Sequence, residues 1–282
     1  MSQKLLSVSR FIRLSLAICF LTNLGCGGNF FEMTAKKDTS EALYQDARDS
    51  LNDLDYDTAI SKIVEIRTKD SSFYSRCEKV DGIKICPRED LAGAYASKCG
   101  LNFVTFVNSL TTATGSPFLF FMQKFQSITV SPTNCYEAQK VIETFGSTSG
   151  ARSTEQNLFM AVLGMAKMGT YLRDVADVNQ DGNADAAYTS CSSASISTDY
   201  LRQVMSGMGL VLDNLAAVSA VLSGNSSVLT ALETIKATCG SACAITDPNS
   251  SSFDETVTRK LLRSSDSGIE PTSGCTLITC CP

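Results

Sequence analysis

The chain has 282 residues, with 24 Lys+Arg against 29 Asp+Glu, a formal net charge of −5, no histidine and no tryptophan. The missing histidine excludes Ser-His-Asp hydrolases, Cys-His proteases, His-ligated zinc sites and HExxH peptidases. An acidic chain without basic clusters is a poor partner for nucleic acid or for anionic lipid surfaces.

The chain opens with Lys4, Arg10 and Arg13, followed by a mostly apolar run from Leu14 to Leu24. That order is a bacterial export signal over residues 1–25, and the run is too short to span a bilayer comfortably. Its end, Leu21-Thr-Asn-Leu-Gly-Cys26, resembles a lipobox, in which the cysteine is lipidated and becomes the mature N-terminus. The resemblance implies palmitate-type acylation at Cys26. The family pattern wants an aliphatic residue where Asn23 stands, while Gly25 supplies the small residue before the cysteine. Gly27, in place of Asp, implies by the same resemblance a lipid-anchored protein of the outer membrane. An ordinary cleaved signal, leaving a soluble periplasmic protein, is the alternative. Residues 26–37 read as a tether.

From Asp38 the pattern turns helical. Leu43, Ala47, Leu51 and Leu54 share one face, then Tyr56, Ala59, Ile60, Ile63 and Ile66 the next. The junction Leu54-Asp-Tyr-Asp-Thr-Ala-Ile60 resembles the turn and second helix of a tetratricopeptide repeat, with Ala47, Tyr56, Ala59 and Ile60 at matching spacings. Ser50 and Ser71 stand where that family has an aromatic and a proline. The resemblance covers one repeat and implies an α-solenoid-like body; any helical hairpin that packs small against large residues fits the same spacing.

Ten cysteines follow Cys26, and an even, high number in an exported chain reads as a disulfide framework. One pairing follows from geometry. Asp81-Gly82 is a two-residue hairpin turn, with Cys77 and Cys86 equidistant from it. Counting outward, Val80/Ile83 and Glu78/Ile85 are hydrogen-bonded pairs, whereas Lys79/Lys84 and Cys77/Cys86 are not. A non-hydrogen-bonded site brings Cα atoms close enough for a disulfide. The like-charged Lys79/Lys84 pair opposes this register mildly.

Pro87 and Glu89 open another helix, whose apolar positions Leu91, Ala94, Tyr95 and Cys99 run on to Phe103, Phe106, Val107 and Leu110. Gly115-Ser-Pro117 breaks the run, Phe118 to Phe125 reads as a short buried helix, and another short helix follows Asn134. Gly146 to Gly150 reads as a polar linker, which leaves an internal division near 146–152 open. The clearest helix covers 153–176, with Ser153 or Thr154 as N-cap and Leu158, Val162, Met165, Met168, Leu172 and Val175 at helical spacing. A second long helix is expected from Thr198 to Leu222. Shorter ones follow over 227–238 and 253–262, and the methionine stripes read as core filler. Residues 264–282 form a Ser/Gly/Pro-rich tail that Cys275, Cys280 and Cys281 pin to the body. Period-two strand patterns are nearly absent. The expected fold is all-α: helical hairpins in a solenoid-like bundle over 38–263, with disulfide-stapled loops.

One stretch carries chemistry. Asp177-Val-Asn-Gln-Asp-Gly-Asn-Ala-Asp185 places oxygen side chains at positions 1, 3 and 5 and glycine at 6. Asn183 stands at 7 and Asp185 at 9, so the set suits one hard cation. It resembles the calcium loops of EF-hands, dockerins and FG-GAP blades, and implies Ca2+ at Asp177, Asn179, Asp181, Asn183 and Asp185. Position 12 departs from the pattern, because Tyr188 stands where a carboxylate belongs. The expectation is therefore a structural staple of modest affinity. A polar turn capping the long helix is the alternative.

Other motifs fail. Cys239 and Cys243 lack redox spacing, and with Cys280 and Cys281 they read as disulfides sooner than as a zinc site. No nucleophile elbow, Ser-x-x-Lys motif or phosphate loop is present. No catalytic residue is expected. The sequence reads as a non-enzymatic envelope lipoprotein, a scaffold or assembly factor whose partners are other envelope proteins and which meets the membrane only through its lipid. The alternative is a small-ligand binder serving a periplasmic transport system, with a cavity lined by Phe118 to Phe125 and the methionine helices.

Overall fold

A computed structural model describes residues 38–80, 82–111, 113–221, 227–270, 275, 280 and 281. The expected signal peptide, Cys26 and the tether lie outside the described residues. The structure is 63% helix and 3% strand, with 12 α-helices among the described residues, so the all-α expectation holds. Among the described residues, no helix is long and apolar enough to cross a membrane.

Helix α1 (Ser40–Asn52) is capped by Thr39, which accepts from Ala42 N at 3.2 Å, and α2 (Tyr56–Lys69) by Asp55, which accepts from Thr58 N at 3.1 Å. They bury Leu43, Tyr44 and Ala47 against Ala59, Ile63 and Ile66, with Tyr56 and Ile60 partly buried. Leu54 does not join that face. It takes the left-handed conformation (φ 62°) that turns the chain between the helices, and it is exposed. The short α3 (Ser71–Tyr74) follows.

Strands β1 (Glu78–Val80) and β2 (Ile83–Ile85) pair with Glu78 opposite Ile85, Lys79 opposite Lys84 and Val80 opposite Ile83. Lys84 relieves the like-charge pair by turning to Glu89 at 2.5 Å. Cys77 and Cys86 sit at disulfide distance, with Cα atoms 4.2 Å apart. The remaining pairs at disulfide distance are Cys99–Cys135, Cys191–Cys281, Cys239–Cys243 and Cys275–Cys280.

Helix α4 (Pro87–Cys99) stops at Gly100, whose φ of 111° ends the helix and lets Leu101 N return to Ala96 O at 3.0 Å. The apolar face expected to run on to Leu110 is therefore split, and α5 (Phe103–Leu110) restarts on an Asn102 cap. Helices α6 (Pro117–Gln123), α7 (Pro132–Glu143) and α8 (Thr154–Ala176) follow, the last opened by a capping box between Ser153 and Gln156. The long helix expected over 198–222 is also split. α9 (Thr198–Asp213) ends at Asn214, whose Nδ2 donates to Leu210 O at 2.7 Å and whose Oδ1 accepts from Arg152 at 3.2 Å. This side chain competes with the backbone ladder. α10 (Leu215–Val221), α11 (Ser227–Cys239) and α12 (Glu255–Arg263) complete the set.

The long helices pack in succession: α1 on α2, α2 on α4, α4 on α7, α7 on α8 and α8 on α9. α8 is the hub, since α4, α5, α6 and α10 also meet it. Phe118, Phe121, Phe125, Met160, Met165, Met168 and Met208 are all buried around it. Residues 146–152 are a pinned turn: Arg152 donates to Gly146 O at 3.0 Å, Asn157 to Ser149 O at 2.8 Å, and Ser149 N to Asp213 at 3.1 Å. In the tail, Ile269 N returns to Leu262 O at 2.9 Å and Phe118 N donates to Ser267 O at 3.2 Å.

Candidate functional site

The loop from Asp177 to Asp185 leaves the C-terminus of α8 and is closed by Asp185 N donating to Ala176 O at 2.6 Å. Asp177 is buried, and its two carboxylate oxygens accept from Asp181 N at 2.9 Å and Gly182 N at 3.0 Å. Burial pushes its carboxyl above the ordinary value, and those two N–H bonds oppose the shift. Asn179 Oδ1 accepts from Asp181 N at 2.9 Å, Asp181 Oδ1 from Asn183 N at 2.8 Å, and Asp185 Oδ2 from Val178 N at 3.0 Å. Gly182 is required by its φ of 86°; a Cβ there would also lie 2.2 Å from Gln126 Oε1, the end of a flexible side chain that can move aside.

The donor set suits a hard cation, with three carboxylates, the Asn179 side-chain amide and the Asn183 backbone carbonyl carried by one turn. The carboxylates do not yet converge. Among the described residues, the trio of metal-type ligand atoms within 4.8 Å of one another is Cys77, Cys86 and Glu89, and both its sulfurs are taken by the disulfide. Tyr188 turns inward, buried and with its hydroxyl unpartnered, and supplies no ligand to the loop.

Clefts open on the surface of the described residues. One, about 640 Å³, lies between α9, α11 and the 3-10 turn Gly240–Cys243, lined by Ser147, Thr148, Gly209, Asp213, Lys236, Ser241 and Thr246 among others. A second, about 370 Å³, is apolar, with Phe103, Ile142, Leu158 and Phe159 on its walls and Glu89, Glu155 and Gln156 at its edge. Phe103 and Phe159 stack at 6.0 Å and are shared with a third cleft of about 500 Å³, where Val104 and Ile128 are exposed. Neither Phe118 to Phe125 nor the methionines line any of the three; they fill the core instead.

One polar cluster escaped the sequence reading. Lys167, in the middle of α8, is completely buried and donates to Gln139 Oε1 at 2.7 Å and Ser206 Oγ at 2.8 Å, with the Tyr136 ring 4.9 Å from its amine. Gln139 Nε2 in turn donates to Glu143 at 2.8 Å and Thr246 O at 2.9 Å, and Ser206 also donates to Thr246 O. Burial pushes the amine down from 10.5 to about 7, against the pull of Glu143 and Asp247. The signal was a lone cation within Leu163-Gly-Met-Ala-Lys167-Met168, because lysine is almost never fully buried without partners. No family model, curated protein or solved structure matches the chain.

Proposed function

We propose that this chain is a non-enzymatic lipoprotein of the bacterial envelope, anchored at Cys26, whose tetratricopeptide-like helical body binds another envelope protein. One observation carries the binding reading: the open apolar cleft of Phe103, Ile142, Leu158 and Phe159, continued by exposed Val104. Exposed contiguous apolar surface marks interaction sites. Complete burial of Ala47 and Ala59 at the first helical crossing supports the repeat likeness. Export is supported by the ten cysteines after Cys26 all standing in pairs at disulfide distance, as in an oxidising compartment. The loop at Asp177, Asn179, Asp181, Asn183 and Asp185 takes calcium as a staple at the end of α8.

Labelling cells with a palmitate analogue tests the anchor: wild type takes the label and Cys26→Ala does not, whereas equal labelling of both contradicts it. Cross-linking in intact envelopes, followed by mass spectrometry, tests the body. Phe159→Glu should lose the cross-linked partner while keeping its fold; an unchanged partner set moves binding away from this cleft.

A further inference from the structure

Residues 244–250 cross α9 as a strap without regular structure, between the turn Gly240–Cys243 and α12. The strap lies directly on the helix, since a Cβ at Gly209 would sit 2.1 Å from Ile245 O. Its own Ile245 and Pro248 are buried, and polar side chains of the neighbouring helices hold its backbone. Gln139 and Ser206 both donate to Thr246 O, Arg202 donates to Pro248 O at 3.0 Å and to Ser250 O at 3.1 Å, and Asn249 donates to Tyr136 Oη at 3.4 Å. The first two fasteners are also the hydrogen-bond partners of the Lys167 amine. Ala244 and Thr246 form one wall of the cleft of about 640 Å³.

We propose that Lys167 makes the strap a proton-sensitive cover: uptake of a proton at its buried amine favours lifting of residues 244–250, which widens the cleft walled by Ala244 and Thr246. The reason is the amine's company. Its hydrogen-bond partners, Gln139 and Ser206, are neutral, so the covered site stabilises an ammonium poorly, while a lifted strap admits water that stabilises it well. The charged and titratable groups around it are few. α7 contributes Tyr136, Glu143 and Lys140, which also lies over the Tyr136 ring at 5.1 Å; the strap contributes Asp247; α9 contributes Arg202, a turn from Ser206; and α8 itself contributes Tyr171. Glu143 and Asp247 favour the ammonium, and burial outweighs them, holding the amine at about 7 instead of 10.5.

The sign follows. A covered amine holds its proton less tightly than a wetted one, so closure gains as pH rises from about 7 toward 10.5. As pH falls through that window the gain is lost, and below it the amine is charged whether the strap is up or down.

Hydrogen exchange of the full chain, read by mass spectrometry on peptides covering 244–250 and corrected for intrinsic exchange, tests this. Protection in wild type should rise by up to about tenfold per pH unit above about pH 7, and Lys167→Met should abolish the slope. A flat wild-type profile, or a slope that survives in Lys167→Met, overturns the proposal. Should the variant not fold, NMR titration of wild-type lysine Cε resonances decides it. One lysine titrating near pH 7 supports the cover, and every lysine titrating above about pH 9.5 overturns it.

Discussion

At the end of α8, the carboxylates of Asp177, Asp181 and Asp185 are each met by backbone N–H groups of their own loop. Earlier in the same helix, the Lys167 amine is met by neutral side chains from α7 and α9, fully out of water. The loop keeps its charges at the surface, apart from Asp177, and its hydrogen bonds are local. The Lys167 cluster has its charge in the core and its partners distant in the chain. The difference teaches where each kind of polar structure draws stability: the loop from satisfying a helix end, the cluster from a network that costs more when its amine is charged.

The largest expected effect separates the two by pH. The unfolded chain holds the Lys167 proton up to about 10.5 and the folded chain only to about 7, so unfolding takes up a proton between those values. Denaturant unfolding of wild type, referenced to Lys167→Met, should show stability rising by up to ~1.4 kcal/mol per pH unit across that window. Parallel curves for the two proteins would mean that the cluster behaves like a surface lysine and the contrast fails.

Next in size is Asp177→Ala, which strips the acceptors from Asp181 N and Gly182 N at a buried position. A loss of ~2 kcal/mol without any added metal is expected from the same unfolding measurement. Asp185→Ala, which removes one exposed acceptor, should cost less than half of that; equal losses would show that burial of Asp177 is irrelevant. The smallest effect is Gly182→Ala. An alanine at φ 86° costs ~1 kcal/mol, and the flexible Gln126 side chain can move aside. No change in midpoint would mean that the loop has no fixed turn.

The loop's polar turn was legible in the sequence because its side-chain acceptors and the N–H groups they meet all fall within nine residues, Asp177 to Asp185. The same holds for the hairpin register, since β1 and β2 are separated by only two residues. The Lys167 cluster was not legible, since Gln139 lies 28 residues away and Ser206 lies 39 away; only the misplaced cation was visible. The two helix breaks divide on the same line. Gly100 stops its helix by a local turn back to Ala96, whereas Asn214 interrupts its helix with a side chain that also receives Arg152 from another segment. The hydrophobic periodicity across both breaks is unbroken, which is why a single helix is expected in each case.

The most direct test of the loop as a cation site is a thermal melt with and without millimolar calcium, on wild type and Asp181→Ala. Ligand bound only by the folded state adds RT ln(1 + [L]/Kd), or roughly 2.7 kcal/mol at about 100 times Kd. Wild type should melt higher with calcium and change little with magnesium, which demands a tighter octahedral shell. Asp181→Ala should melt near calcium-free wild type and ignore calcium. A wild-type Tm that calcium does not move, or a shift that Asp181→Ala retains, contradicts the metal assignment and leaves the loop as a polar cap on α8.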